Sequence, residues 1–122
     1  MDNVIKQKSK ELAFKVVNLQ KQLSARKKES VMSEELLRSG AGVGAALVKA
    51  KCALNKNEQI TRVHTALQSC AEAKYWLELL YETDSLTEFE FNDTINTCDE
   101  LGKIVVAQIK ALKAETAQGQ AK

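Results

Sequence analysis

An all-α fold, with four amphipathic helices in an antiparallel up-down-up-down bundle, is what this sequence predicts, and three observations predict it. The 122 residues include no proline and only five glycines. Proline breaks helix interiors and is common in turns, so its absence points to long helices with few connections. Aromatic residues make up only 5% of the chain, which disfavours a sheet. Four segments carry apolar residues at alternating three- and four-residue steps, the period of one helix face.

The first helix is expected over about residues 3–26. Ile5, Leu12, Val16, Leu19 and Leu23 share a face once Ser9 is counted as a small member of it, and Ala13 and Val17 widen it. The opposite face is mostly Lys and Gln. Ser24–Ser30 is the first connection. The second helix, about 31–54, repeats the pattern through Leu36, Gly40, Val43, Leu47, Ala50 and Leu54. Its middle holds Gly40, Gly42 and Gly44, each costing about 1 kcal/mol relative to alanine inside a helix. Close approach of a neighbouring helix would offset that cost. A loop here is the alternative, but the apolar period passes through the glycines in phase, which favours one helix.

Asn55 and Glu58 stand at capping-box spacing, so a third helix starts near Lys56 and runs to about residue 83. Ile60, Val63, Leu67, Cys70, Leu77 and Tyr81 mark one face, interrupted by Lys74. Thr87 and Glu90 form a second capping-box pattern. The fourth helix, about 88–113, aligns Phe91, Ile95, Cys98, Leu101, Val105, Ile109 and Leu112. Residues 1–114 form the bundle domain, and 115–122 read as a flexible tail. Each stripe alone would lie in water, so the four must face one shared core.

One stretch exceeds that need. Residues 75–81, Tyr-Trp-Leu-Glu-Leu-Leu-Tyr, are apolar on nearly every side of the helix. A helix apolar all round is buried all round. The connections are too short to cover it, so a second copy of the chain is expected there, with Tyr75, Trp76, Leu79 and Leu80 as interface residues. The plainer alternative is a wider core face with the tyrosine hydroxyls reaching solvent.

Composition bounds the rest. At 44% hydrophobic and 28% charged, the chain suits one globular domain and not disorder. No apolar run approaches the roughly 20 residues needed to span a bilayer. Met1-Asp2-Asn3 leads into a lysine-rich segment with no apolar signal core, so a cytoplasmic protein is expected. Cys52, Cys70 and Cys98 lie far apart with no CxxC or Cys/His pairing, which disfavours zinc and suggests three buried thiols. Net charge is +2, unevenly spread. Residues 1–30 carry eight Lys/Arg against three acids, and residues 84–122 carry four Lys against seven acids. A basic first helix and an acidic start to the last one can attract each other.

No constellation supports catalysis. A diiron bundle needs paired Glu-x-x-His motifs, and the single histidine, His64, has Thr61 three residues before it. His64 lies among polar residues, so a surface or rim position is expected. The Gly40-x-Gly-x-Gly44 run lacks a preceding strand and dinucleotide-site spacing. The sequence therefore predicts no enzyme, cofactor, metal or small-molecule substrate. Arg38 suits bidentate recognition of phosphate, but an ion pair with Glu72 or another acid across the bundle is the favoured reading. The lysine-rich first helix, the cluster Arg26, Lys27 and Lys28, and Lys49 and Lys51 are candidate contacts to RNA or DNA. Against that, no aromatic residues are interleaved for base stacking.

Three motifs resemble the four helix bundle protein family, also called the 23S rRNA-intervening sequence proteins. Residues 35–50, Glu-Leu-Leu-Arg-Ser-Gly-Ala-Gly-Val-Gly-Ala-Ala-Leu-Val-Lys-Ala, resemble its second-helix signature. Residues 72–80, Glu-Ala-Lys-Tyr-Trp-Leu-Glu-Leu-Leu, resemble its third-helix signature, and Asp99-Glu-Leu-Gly-Lys-Ile104 its closing motif. Arg38, Ser39, Glu72, Tyr75 and Trp76 keep the pattern. Ala46 and Lys49 stand where the family has Asn and Glu, and Ser69 where it often has Glu. The resemblance implies a four-helix bundle assembled as a homopentamer, without catalytic residues. It also implies distant kinship with the accessory proteins of diversity-generating retroelements, which makes nucleic-acid binding the alternative function.

Overall fold

The computed structural model of the chain describes residues 3–28 and 30–120. Four α-helices and no strand lie within them: α1 (Asn3–Ala25), α2 (Val31–Lys51), α3 (Lys56–Glu82) and α4 (Glu88–Gln120). Met1 and Asp2, Glu29 of the first connection, and Ala121-Lys122 of the expected tail lie outside the described residues. Each helix packs on its neighbours in sequence and α1 meets α4, while the diagonal pairs stay apart among the described residues. That ring of contacts around one interior makes a four-helix bundle. No helix among the described residues is long and apolar enough to cross a membrane.

Each helix ends for a local reason. Lys27 after α1 and Asp84 after α3 take left-handed backbone, with φ of 55° and 61°. There the Lys28 N–H reaches the Leu23 carbonyl at 2.9 Å, and the Ser85 N–H reaches that of Leu80 at 2.9 Å. These 6→1 bonds satisfy carbonyls that a helix end leaves without partners. At the start of α4 the capping box forms in full, and at the start of α3 its N-cap half forms. Asn55 Oδ1 accepts from the Glu58 N–H at 2.8 Å, and Thr87 Oγ1 accepts from the Glu90 N–H at 3.1 Å. Glu90 accepts in return from the Thr87 N–H, whereas Glu58 reaches one residue further back, to the Leu54 N–H.

The α1 stripe is buried as the spacing predicts: Ile5, Ser9, Leu12, Val16, Leu19 and Leu23. The glycine run of α2 is helical, and one position requires glycine. A Cβ on Gly40 would lie 2.8 Å and 2.9 Å from the two Cγ atoms of Val16. At Gly42 and Gly44 the nearest atoms are serine Oγ atoms at 3.7 and 3.6 Å, an ordinary contact. The expected close approach therefore rests on Gly40 against Val16.

Two boundaries and one buried stripe depart from the prediction. Helix α2 stops at Lys51, and Leu54, expected on its core face, is 93% exposed. The N–H groups of Cys52 and Ala53 bond three residues back, tightening the last turn, and the Leu54 N–H is taken by the next helix's cap. Cys52, expected to be buried, is exposed for the same reason. On α3 the buried stripe is Val63, Ala66, Cys70, Ala73, Leu77 and Leu80. Ala73 replaces the supposed interruption at Lys74, and Ile60, Leu67 and Tyr81 sit half-buried on its flank. Helix α4 continues to Gln120, so the expected tail begins as helix. Its Ala114, Glu115 and Ala117 are strong helix formers with no breaker among them.

The charge asymmetry is used inside the chain. Lys8 pairs with Glu100 at 2.7 Å, Lys15 with Asp93 at 3.0 Å and Arg26 with Glu90 at 2.9 Å, all joining α1 to α4. The Lys8 ammonium hydrogen-bonds Glu11 and holds its carboxyl below the usual range. Burial pushes Glu90 upward, but hydrogen bonds from Thr87 and Arg26 outweigh it and its carboxyl also lies low.

Two outcomes follow for chemical denaturation. Gly40→Ala should destabilise the chain by about 1–2 kcal/mol, because overpacking against Val16 exceeds the gain in helix propensity. Gly102→Ala, where a Cβ meets nothing within 4 Å, should stabilise it by about 0.5–1 kcal/mol. Because folding lowers the Glu11 and Glu90 pKa values from the ordinary 4.5, their contribution is complete above that pH and is lost as pH falls below it. Glu90→Gln should cost about 1 kcal/mol at pH 7 and flatten the acid limb of a stability-against-pH profile.

Candidate functional site

The residues singled out on α2 and α3 meet as one polar cluster. Arg38 and Glu35 share a face of α2 at three-residue spacing, and Glu72 and Trp76 share a face of α3 at four. Arg38 donates through Nη2 to Glu35 Oε2 at 2.6 Å and also to Glu72. Glu72 Oε2 accepts in turn from Trp76 Nε1 at 2.9 Å. Glu35, and then Glu72, raise the Arg38 pKa. The ion pair across the bundle is thus formed, and both carboxylates occupy the guanidinium. Ser39, the next signature residue, faces inward with its Oγ donating to the Glu35 carbonyl at 2.9 Å.

The apolar segment of α3 divides. Leu80 is fully buried in the chain's own core, in phase with Ala73 and Leu77, so it is not an interface residue. Tyr81 stacks on Phe91 of α4, ring centroids 4.3 Å apart, so that side is covered internally. Trp76 and Leu79 are half-buried, Trp76 packing against the core. Tyr75 is 55% exposed and meets the Trp76 ring edge-on at 5.1 Å. What remains on the surface is a ridge of Tyr75, Trp76 and Leu79.

The basic candidates are not brought together. Arg26, Lys27 and Lys28 follow α1, whereas Lys49 and Lys51 end α2, a helix about 30 Å long that separates the two groups. Arg26 is engaged by Glu90. Lys49 lines a groove of about 250 Å³ with Arg38, Arg62 and Ser69. Lys51 lines a different one, about 210 Å³, between α1 and α2 with Lys6 and Lys10. That second groove is floored by Ala13, Ala41, Ala45 and Val48 and is mostly apolar. His64 is exposed. No group of three or more His, Cys, Asp or Glu side chains able to hold a metal occurs among the described residues.

Two arrangements escaped the sequence. Cys70 and Cys98 face each other across α3 and α4 with sulfurs 3.8 Å apart. Each lay on a predicted stripe, but only the register between helices reveals the pair. The α1–α2 groove escaped because Ala13 read as widening of a core face.

Against known proteins, a family model described as 23S rRNA-intervening sequence protein matches residues 1–107. A solved structure from Bacteroides thetaiotaomicron, described as a protein with unknown function from the S23 ribosomal protein family, is 38% identical. Its TM-score is 0.84, and the match covers 87% of this chain and 98% of that one. No curated protein matches the chain.

The cluster around Glu72 predicts a readable effect. Glu72→Ala leaves the Trp76 indole N–H without its acceptor and should cost about 1 kcal/mol. Fluorescence of the one tryptophan, monitored through urea unfolding, checks both the loss and a changed indole environment in the folded state.

Proposed function

Since the chain belongs to the 23S rRNA-intervening sequence protein family, we propose that it is a non-catalytic, self-associating helical scaffold. In this reading it is an antiparallel up-down-up-down bundle, acts in the cytoplasm, and assembles as a homopentamer. The supporting observation is a pair of unlike apolar surfaces: the Tyr75–Trp76–Leu79 ridge on α3 and the Ala13, Ala41, Ala45, Val48 groove between α1 and α2. A two-fold dimer needs one self-complementary patch, whereas a closed ring joins two different patches head to tail. Ridge into groove is such a joint, and aromatic anchors suit it. Lys6, Lys10 and Lys51 line the groove and favour an acidic neighbour, and Glu78 lies beside the ridge residues in sequence. Paired contacts that run in opposite order along neighbouring helices support the alternating directions: Val16–Gly40 with Ser9–Gly44, Arg38–Glu72 with Gly42–Ser69, Cys70–Cys98 with Tyr81–Phe91, and Lys8–Glu100 with Arg26–Glu90. The basic groups at two ends of α2 form no continuous track for a nucleic-acid backbone, which leaves that alternative without support.

Light scattering behind size exclusion tests the joint. Tyr75→Glu and Ala45→Glu should each reduce the particle to single chains with helical circular dichroism unchanged. Mixed together, the two variants should form heterodimers, since each keeps one intact half of the joint. An unassembled wild-type chain, or variants that keep the full mass, would refute the proposal.

A further inference from the structure

Cys70 on α3 and Cys98 on α4 are buried at 3% and 2% exposure, with sulfurs 3.8 Å apart. Each sulfur also lies against the other residue's backbone carbonyl, at 3.5 Å from Cys70 and 3.2 Å from Cys98. Sulfur-to-backbone contact in both directions means that the two main chains approach closely here, beyond a touch of side-chain tips. A disulfide needs Cα atoms about 4.4–6.8 Å apart, and this mutual reach of sulfur to backbone is the geometric ground for expecting the pair to close. Cys52, at the end of α2, is exposed and takes no part.

The pair has a route to solvent. A cleft of about 580 Å³ between α3 and α4 is lined by both cysteines, with Gly102 beside them and Lys74 and Lys103 also on its walls. A Cβ on Gly102 would meet nothing within 4 Å, so this wall is open. The low exposure of the sulfurs excludes bulky reagents and admits small ones. The contact with Cys98 holds the Cys70 thiol below its ordinary range, and the same contact pushes Cys98 up. Cys98 Sγ lies nearer its carbonyl acceptor, 3.2 Å against 3.5 Å for Cys70, so Cys98 holds its proton better. Cys70 therefore supplies the thiolate, the attacking form of cysteine.

We propose that Cys70 and Cys98 are a redox site in which a small hydroperoxide drives formation of an intrachain disulfide between α3 and α4. The Cys70 thiolate attacks the peroxide oxygen, the O–O bond breaks, and the departing oxygen leaves as water or alcohol after taking a proton. Cys70 is then a sulfenic acid. The Cys98 sulfur attacks the Cys70 sulfur, the S–S bond forms, the S–O bond breaks, and hydroxide leaves with the Cys98 proton as water. Two thiols thus lose two electrons and two protons, and one peroxide is reduced. A dithiol reductant returns the pair by exchange. The link fastens α3 to α4 in mid-helix and closes the loop between residues 70 and 98.

Hydrogen peroxide applied to the full-length Cys52→Ser protein tests the proposal. After quenching and alkylation in denaturant, the oxidised chain should be lighter than the reduced chain by two hydrogens and take up no alkyl group. Proteolysis should give a linked peptide pair containing residues 70 and 98, and dithiothreitol should release it. The melting temperature should rise by roughly 5–10 °C on oxidation, and the Cys98→Ser variant should show no such rise. Two thiols still fully alkylated, at a peroxide level that oxidises Cys52 in the unmodified protein, would overturn the proposal. So would stepwise oxygen addition without a cross-link.

Discussion

Val16 against Gly40 sets how closely α1 and α2 pack, and the rest of the bundle is spaced from that contact. The missing Cβ lets the valine methyl groups lie over the α2 backbone, and Ser9, two turns before Val16, then reaches Gly44. The small polar residues inside behave as compact plugs because their hydroxyls return to their own helix. Ser9 donates to the Lys6 carbonyl, Ser33 to Ser30 and Ser39 to Glu35. No buried side-chain nitrogen or oxygen lacks a partner among the described residues. Apolar burial supplies the driving force, and the glycine fixes the separation at which it is collected.

Each of the four helix contacts has its own chemistry. Close packing joins α1 to α2, the Arg38–Glu72–Trp76 cluster joins α2 to α3, sulfur and stacked rings join α3 to α4, and lysine–carboxylate pairs join α4 to α1. Exposed ion pairs contribute at most about 1 kcal/mol each, so those of α1 and α4 hold little of the fold together. They make wrong neighbours unfavourable instead, because sliding α1 along α4 would set its lysines against apolar or like-charged positions. Four unlike seams specify one arrangement of helices whose hydrophobic stripes are otherwise similar.

Much of this was legible in the sequence, and the failures share a cause. The α1 stripe, the N-caps at Asn55 and Thr87, the helical glycine run and the attraction of α1 for α4 are properties of one helix or of total charge, and they read directly. Periodicity alone places Leu54 in the core, because it does not show that Glu58 captures its N–H. The α3 stripe differs because Ala66 and Ala73 are weak markers beside Leu67 and Tyr81. A helix apolar on all sides does not declare its inner face, so Leu80 reads as outward. Position along the chain groups the basic residues, whereas the fold distributes them to two grooves and a distant connection. The facing sulfurs depend on the register of α3 against α4, which no single-helix pattern encodes.

The carboxylate of Glu90 serves two contacts of very different range. It accepts the Thr87 N–H three residues away and pairs with Arg26, sixty-four residues away. The first contact closes within a single turn, whereas the second must wait until the two outer helices meet. Local contacts form early in folding and distant ones late, because loop closure must precede them. One side chain therefore spans the beginning and the end of the folding reaction, and the oriented carboxylate that starts α4 is already in place to receive Arg26 when the ring of helices closes.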